Sequence, residues 1–305
     1  MAPIQRTAPR RRETVGCPHM AEPRYQLSGR VALITGPARG IGAETARQLA
    51  AKGMKLGLAG LEPERIEALA ADLPVETAWF ECDVTDWDAL RAAVSGTAEK
   101  LGGIDVVIAN AGIAPWGPIE TIEPEAFERT IEVNLLGVWR TIRTALPHVI
   151  ERKGYVLPIA SLAAAIHAPV IGHYNAAKAG VEGFADALRM EMRPCGVGVG
   201  CGYFGFIDTD MVRAPEEDDI LGDDELANAR TAFGRPAPVS KAGEAIVRGI
   251  ERRARRVYHP RWILAPLLVP APFQRLVEVG MARRGVFDVI RRLNERARAR
   301  AQSPV

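Results

Sequence analysis

The sequence predicts an α/β protein, a single domain on a doubly wound parallel sheet with a C-terminal helical extension. From Arg30 onward, short apolar runs alternate with longer segments of helical periodicity, the pattern of a parallel sheet wrapped by helices. The runs are apolar almost throughout, as strands covered on both faces must be. A chain of 305 residues, 48% hydrophobic and with a net charge of only +2, can bury the core such a sheet needs.

The elements follow in order. "RVALITG" (30–36) reads as a strand, "IGAETARQLAAKG" (41–53) as a helix closed by Gly53, and "MKLGLAG" (54–60) as a second strand. A helix at "EPERIEALAADL" (62–73), a strand at "ETAWFECD" (76–83), a helix at "WDALRAAVSGTAEKLG" (87–102) and a strand at "IDVVIANAG" (104–112) continue the alternation. Next come a long helix over 125–152, a strand at "GYVLPIAS" (154–161), a helix carrying "HYNAAKAG" (173–180) and a strand at "GVGVGCGYF" (196–204). Pro158 removes a ladder donor from what should be a central strand, so a local bulge is expected there. A helix near "SKAGEAIVRGIERRA" (240–254) and a strand at "RRVYHP" (255–260) complete the set. "WILAPLLVPAPF" (262–273) is broken by Pro266, Pro270 and Pro272 and cannot form one regular helix.

The flanks differ in character. Residues 1–26 are rich in Arg and Pro without a signal-peptide apolar run, and read as a disordered arm ahead of a domain at 27–262. Between residues 216 and 225 seven of ten are acidic, within a variable lid at about 208–236. From 241 to 300 there are 15 basic and 5 acidic residues, so the extension at 263–305 is read either as packing on a partner subunit or as making peripheral contact with an anionic membrane. No uninterrupted apolar stretch reaches the ~18 residues of a membrane span. Cys17, Cys82, Cys195 and Cys201 show no C-x-x-C spacing, which points to reduced thiols and a cytoplasmic setting, and no metal site is expected.

Three segments fall where a dinucleotide would lie. "TGPARGIG" (35–42) places Gly36, Gly40 and Gly42 between strand and helix, where the backbone can approach a pyrophosphate and a helix N-terminus offers free amides. Asp83 follows the third strand and could accept a bond from an adenine amino group; "NAG" (Asn110, Ala111, Gly112) ends the fourth with a tight turn. Ligands of open sheets bind at the strands' carboxyl ends. Tyr174 and Lys178 stand four residues apart, one above the other on one helix face.

Taken in order, "TGPARGIG", Asp83, "NAG", Asn134 in "VNLLG", Ser161 in "IASLAA" and "YNAAK" resemble the compact single-domain branch of the short-chain dehydrogenase/reductase family over residues 27–262. The resemblance implies a Rossmann-type fold and hydride transfer between a nicotinamide cofactor and an alcohol or ketone. It makes Asn134, Ser161, Tyr174 and Lys178 the catalytic group. Tyr174 would act as general acid/base, its phenol lowered from about pH 10 by the Lys178 ammonium; Ser161 would orient the substrate oxygen, and Asn134 would hold a proton-relay water. Gly36, Arg39, Gly40, Ile41, Gly42, Asp83, Val84, Asn110, Ala111, Gly112, Ile207 and Thr209, with Tyr174 and Lys178, would bind the cofactor. Phe204 stands where relatives carry the Pro of a Pro-Gly pair.

Gly60 and Leu61 end the second strand without the acid of NAD enzymes or the basic pair of NADP enzymes. Arg39 could pair with a 2'-phosphate, so NADP is expected as cofactor, and Glu62 leaves NAD open. Trp116, Leu162, Ala163, His167 and Val170, with Met211 from the lid, are expected to face the substrate. Their apolar cast suggests a small hydrophobic secondary alcohol or ketone. A 3-oxoacyl reductase of lipid metabolism and a non-catalytic nucleotide-binding redox sensor are the alternatives; a sensor has no need of all four catalytic residues. No nucleic-acid partner is expected. The family implies a homodimer or homotetramer through the helices around 125–151 and 174–193.

Overall fold

The computed structural model describes residues 24–213 and 235–302. The acidic run 216–225, Cys17, most of the expected lid and nearly all of the N-terminal arm lie outside the described residues. The strands are β1 (Val31–Thr35), β2 (Lys55–Gly60), β3 (Thr77–Glu81), β4 (Val106–Ala109), β5 (Tyr155–Pro158) and β6 (Gly198–Val199). They form one parallel sheet in the order β3-β2-β1-β4-β5-β6. The switch from β1 to β4 leaves a crevice at their carboxyl ends.

Helices α1 (Gly40–Ala50), α2 (Pro63–Asp72), α3 (Trp87–Leu101), α4 (Pro124–Ile131), α5 (Val138–Glu151) and α6 (Gly172–Met192) connect these strands. Successive strand residues point to opposite faces and so feed two cores. Leu33, Val107 and Val156 pack with Leu90 and Val94 of α3, Ile142 of α5 and Val181 of α6. Ala32, Ile34, Val106 and Ile108 pack on the other side with Leu49 of α1, Ile66 of α2 and Ile246, the last from α8 (Val239–Glu251), which follows the short α7 (Asp210–Arg213).

The long helix expected over 125–152 is interrupted. Residues Glu132–Gly137 form a π-helical turn between α4 and α5, a rare widening of the helix that is frequent at functional sites. It holds Asn134.

Pro158 does not bulge its own strand; the break falls on its neighbour. The amides of Tyr155 and Ile159 donate to Asp105 and Ala109 on the β4 side, so alternation turns position 158 toward the opposite edge, where proline offers no donor. There the expected strand 196–204 divides at Gly200 into β6 and β7 (Cys201–Phe204), and β7 pairs with β8 (Arg256–His259). Gly200 is also a steric requirement. A Cβ there would lie 2.0 Å from the Tyr155 hydroxyl, which is buried and donates to the Ala254 carbonyl at 2.7 Å.

The Pro-rich segment bends as its composition requires. A 3-10 turn (Arg261–Ile263) and α9 (Leu264–Leu268) meet α10 (Pro270–Ala282) at 109°, and α11 (Val286–Gln302) closes the chain. Among the described residues no single helix is long and apolar enough to cross a membrane. The extension folds back on the domain: Val286, Val289 and Leu293 bury Val170 and pack against Trp116. Asn294 accepts from Thr121 at 2.9 Å and donates to Glu120, which also pairs with Arg298.

Candidate active site

A cavity of about 920 Å³ lies along the carboxyl ends of β1, β2, β4 and β5. Its wall at one end is the glycine turn. Gly42 is there for steric reasons, since a Cβ would come 2.2 Å from the Gly36 carbonyl oxygen. The turn is braced by Asn110, whose side-chain amide donates to the carbonyls of Thr35 and Gly36 at 3.1 and 3.0 Å. Thr35 completes the brace by accepting from the Asn110 amide through its hydroxyl. No side chain caps α1 and its first turn carries no acid, so its free amides and positive dipole face the cavity unopposed.

At the second strand's end, Arg39 pairs with Glu62 at 2.8 Å and lies 3.7 Å from Asp210. Across the cleft Asp83 accepts from Arg129 at 2.8 Å and from the Thr85 amide and hydroxyl at 2.9 and 2.8 Å. Burial opposes ionisation of Asp83, but these bonds together hold its carboxyl below the usual range.

The opposite end gathers Ser161, Tyr174 and Lys178. Ser161 opens a 3-10 turn, accepting from the Ala163 amide at 3.1 Å and donating to the Phe204 carbonyl at 3.4 Å, with its hydroxyl near enough to the Tyr174 phenol to act on its ionisation. Lys178 is buried, donates to the Ile159 carbonyl at 2.8 Å and stands 5.5 Å from the centre of the Tyr174 ring. Asn134 sits behind them, fully buried; its side chain exchanges two bonds with the Ile113 backbone, at 2.8 and 2.7 Å. The π turn thus presents Asn134 to the loop that follows the "NAG" turn.

The electrostatics differ from the sequence expectation. A phenol lowered by its ammonium neighbour is expected; in the structure burial raises the Tyr174 phenol, and the neighbouring Ser161 side chain is the influence that opposes it. The amine yields instead: burial pushes Lys178 down to about 8. Both heads share a site of low polarity, where loss of hydration outweighs mutual attraction, and the amine is turned toward a backbone carbonyl.

The cavity collects Gly36, Arg39, Gly40, Ile41, Asp83, Val84, Asn110, Ala111, Gly112, Ile207 and Thr209. Gly42 and Asn134 support it from behind. The expected substrate residues divide. Met211 lines the large cavity, whereas His167 and Val170 line a second one. Leu162 and Ala163 are buried, and Trp116 packs beneath α11, so these three line neither. Sequence reasoning missed Arg129 and Thr35. Arg129 lies 46 residues from Asp83, a pairing that no local spacing announces, and Thr35 acts from within its strand.

The residues from 30 to 220 match the family model described as short chain dehydrogenase. Among its relatives, the cis-4-hydroxycyclohexanecarboxylate dehydrogenase of Sinomonas cyclohexanicum is 33% identical over 223 residues, covering 71% of this chain and 87% of that one. A short chain dehydrogenase/reductase from Burkholderia phymatum, solved in complex with NAD, superposes with a TM-score of 0.72 at 22% identity over 83% of this chain and 96% of that one. An alcohol dehydrogenase from the archaeon Thermococcus sibiricus, complexed with 5-hydroxy-NADP, gives 0.65 at 27% identity over 75% and 95%. The chain belongs to the short chain dehydrogenase family, whose members are NAD(P)-dependent oxidoreductases acting on CH–OH groups.

Proposed function

We propose that the chain interconverts a hydrophobic secondary alcohol and its ketone, with Tyr174 as general acid/base. The observation that carries this reading is the meeting of the Ser161 hydroxyl, the Tyr174 phenol and the Lys178 amine with an uncapped helix N-terminus in one cavity. The fit to a dinucleotide rests on that free N-terminus and on a glycine turn that a methyl group would fill. When bound, the nicotinamide supplies or accepts the hydride. Ser161 orients the substrate oxygen, Tyr174 gives or takes its proton, and Lys178 holds positive charge beside the phenol and within reach of the cofactor. Ile113, Pro115, Val133, Phe204, Met211 and Val212 give the cavity a largely apolar wall, which supports a hydrophobic substrate. A relative named for a ring-bound hydroxyl supports a secondary alcohol.

For the cofactor the proposal is NADP(H) first, with NAD(H) accepted. The Arg39–Glu62 pair is half-exposed and holds by no more than about 1 kcal/mol, so a 2'-phosphate can recruit the guanidinium. Glu62 remains as an acceptor for a free ribose hydroxyl. The test is a panel of hydrophobic secondary alcohols, ketones and a 3-oxoacyl thioester, followed at the absorbance of reduced nicotinamide with both cofactors. Arg39→Ala should lower kcat/KM with NADPH about tenfold, one lost charge-assisted contact, and leave NADH nearly unchanged. Equal or better efficiency of the wild type with NADH defeats the preference. Cofactor binding without turnover across the panel would establish the redox-sensor alternative.

The apolar outer surface supports a homo-oligomer. Trp139 on α5 and Met190 on α6 are 39% and 73% exposed. On α10 the inner side rests on the core through Phe273 and Val277, yet Leu276 and Val279 on its outer side are exposed as well. Large apolar side chains exposed together on neighbouring helices mark a contact surface. We assign the cover to a second copy, with membrane contact as the alternative. Flotation of the full chain with anionic liposomes, absent from a chain ending at Arg261, would overturn that assignment.

A further inference from the structure

Val170 has a φ of +60°, in the left-handed region where a β-branched residue is a genuine outlier. The other non-glycine residues with positive φ among the described residues are Lys153 and Arg253, neither of them β-branched. Such a conformation persists only where its surroundings over-determine it. It stands four residues before Tyr174, in the segment that leads into α6.

The C-terminal extension supplies much of those surroundings. Gln274 of α10 accepts from the His167 amide at 2.8 Å and donates to the His167 carbonyl at 3.2 Å. Val286, Val289 and Leu293 of α11 close over Val170, leaving it 4% exposed. On its other side the segment is tied to the loop after β4. The Val170 carbonyl accepts from the Gly117 amide at 2.8 Å, and His173 Nε2 donates to the Pro115 carbonyl at 2.9 Å. Helix α11 holds that loop as well, through the bonds of Asn294 and Arg298 to Glu120. Pro115 and Tyr174 both line the large cavity, whereas α11 does not reach it.

We propose that α11 is a positioning element for the reaction: by packing on Val170 it holds the strained backbone that sets the start of α6, and with it Tyr174, against the loop after β4. Val289 and Val170 are the positioning residues, acting through Tyr174 without touching substrate or cofactor. When α11 lets go, Val170 relaxes to negative φ, the Gly117 bond opens and the phenol loses its place. The effect on turnover rests on the reading of Tyr174 as general acid/base; the hold of α11 on the segment does not.

The test detaches α11 within the full chain. Val289 is 0% exposed, so Val289→Asp sets a carboxylate where only apolar groups can receive it. The variant should lower kcat about tenfold, the population shift that relief of one strained residue produces, with NADPH affinity within about threefold of the wild type. Hydrogen exchange of the cofactor-free chain should show the Gly117 amide losing protection by about tenfold while the amides of β1 and β4 keep theirs. Adding Val170→Gly supplies a residue at ease in the left-handed region. It should bring kcat and Gly117 protection back to within about threefold of the wild type. If α11 served only stability, removing a further buried side chain would rescue nothing. Glu120→Lys repels Arg298 from outside the core and should act in the same direction as Val289→Asp; it carries the test if Val289→Asp does not fold. Unchanged exchange at Gly117 once the amides of α11 itself exchange freely overturns the proposal. Failure of Val170→Gly to rescue, or full turnover with Gly117 unprotected, overturns it too. A wild type without turnover would strike the reading of Tyr174, and the exchange result would still decide whether α11 holds the segment.

Discussion

Replacing Tyr174 with Phe is expected to lower turnover by about 10²- to 10⁴-fold, the usual contribution of a positioned general acid/base, with NADPH affinity within about threefold of the wild type. The substitution keeps the ring and removes only the hydroxyl beside Ser161, so the cavity wall is preserved. Stopped-flow turnover and fluorescence titration of NADPH separate the two quantities. The pH dependence adds a second check. Burial raises the phenol, and alcohol oxidation needs the phenolate, so the wild-type rate should climb with pH toward the alkaline side. In Tyr174→Phe that limb should vanish. A variant that keeps more than a tenth of the wild-type rate would remove Tyr174 from the chemistry.

Lys178→Met should reduce turnover by about 10²- to 10³-fold, comparable to deleting one preorganised electrostatic contact, yet leave folding stability near neutral pH almost unchanged. Two opposing effects produce the balance. Holding a buried cation whose pKa has fallen from 10.5 to about 8 costs on the order of 3 kcal/mol. Losing the hydrogen bond to the Ile159 carbonyl costs about 1–3 kcal/mol. The sign of the pH effect follows from the direction of the shift. Between about pH 8 and 10.5 the unfolded chain binds the proton more readily than the folded one, so wild-type stability rises with pH across that window; below it the penalty is complete and constant. Urea denaturation at pH 7, 8.5 and 10 should show this slope in the wild type and its absence in Lys178→Met. A slope of equal size in both would mean that the amine is not the group whose charge is suppressed.

The sequence by itself determined the order of strands and helices, the glycine turn and the identity of the Tyr174–Lys178 pair, because each depends on near neighbours. Strand burial shows as apolar runs, a close backbone approach as glycine, and one helix face as a spacing of four. The alternation of elements likewise fixed the parallel sheet, and the prolines of 262–273 announced the bend that α9 and α10 make.

What depends on distant residues could only be decided by the tertiary structure. The break opposite Pro158 falls on β6 and β7 because the missing donor faces that edge. The long helix is interrupted by the π turn from which Asn134 bonds the Ile113 backbone, and Asp83 is held by Arg129 from another element. Trp116 and Val170 read as substrate-facing until α11, more than a hundred residues later, packs over them. The reversal at Tyr174 has the same origin: spacing places an amine beside a phenol, but only the folded surroundings set how much water each has lost, and that loss decides which pKa moves.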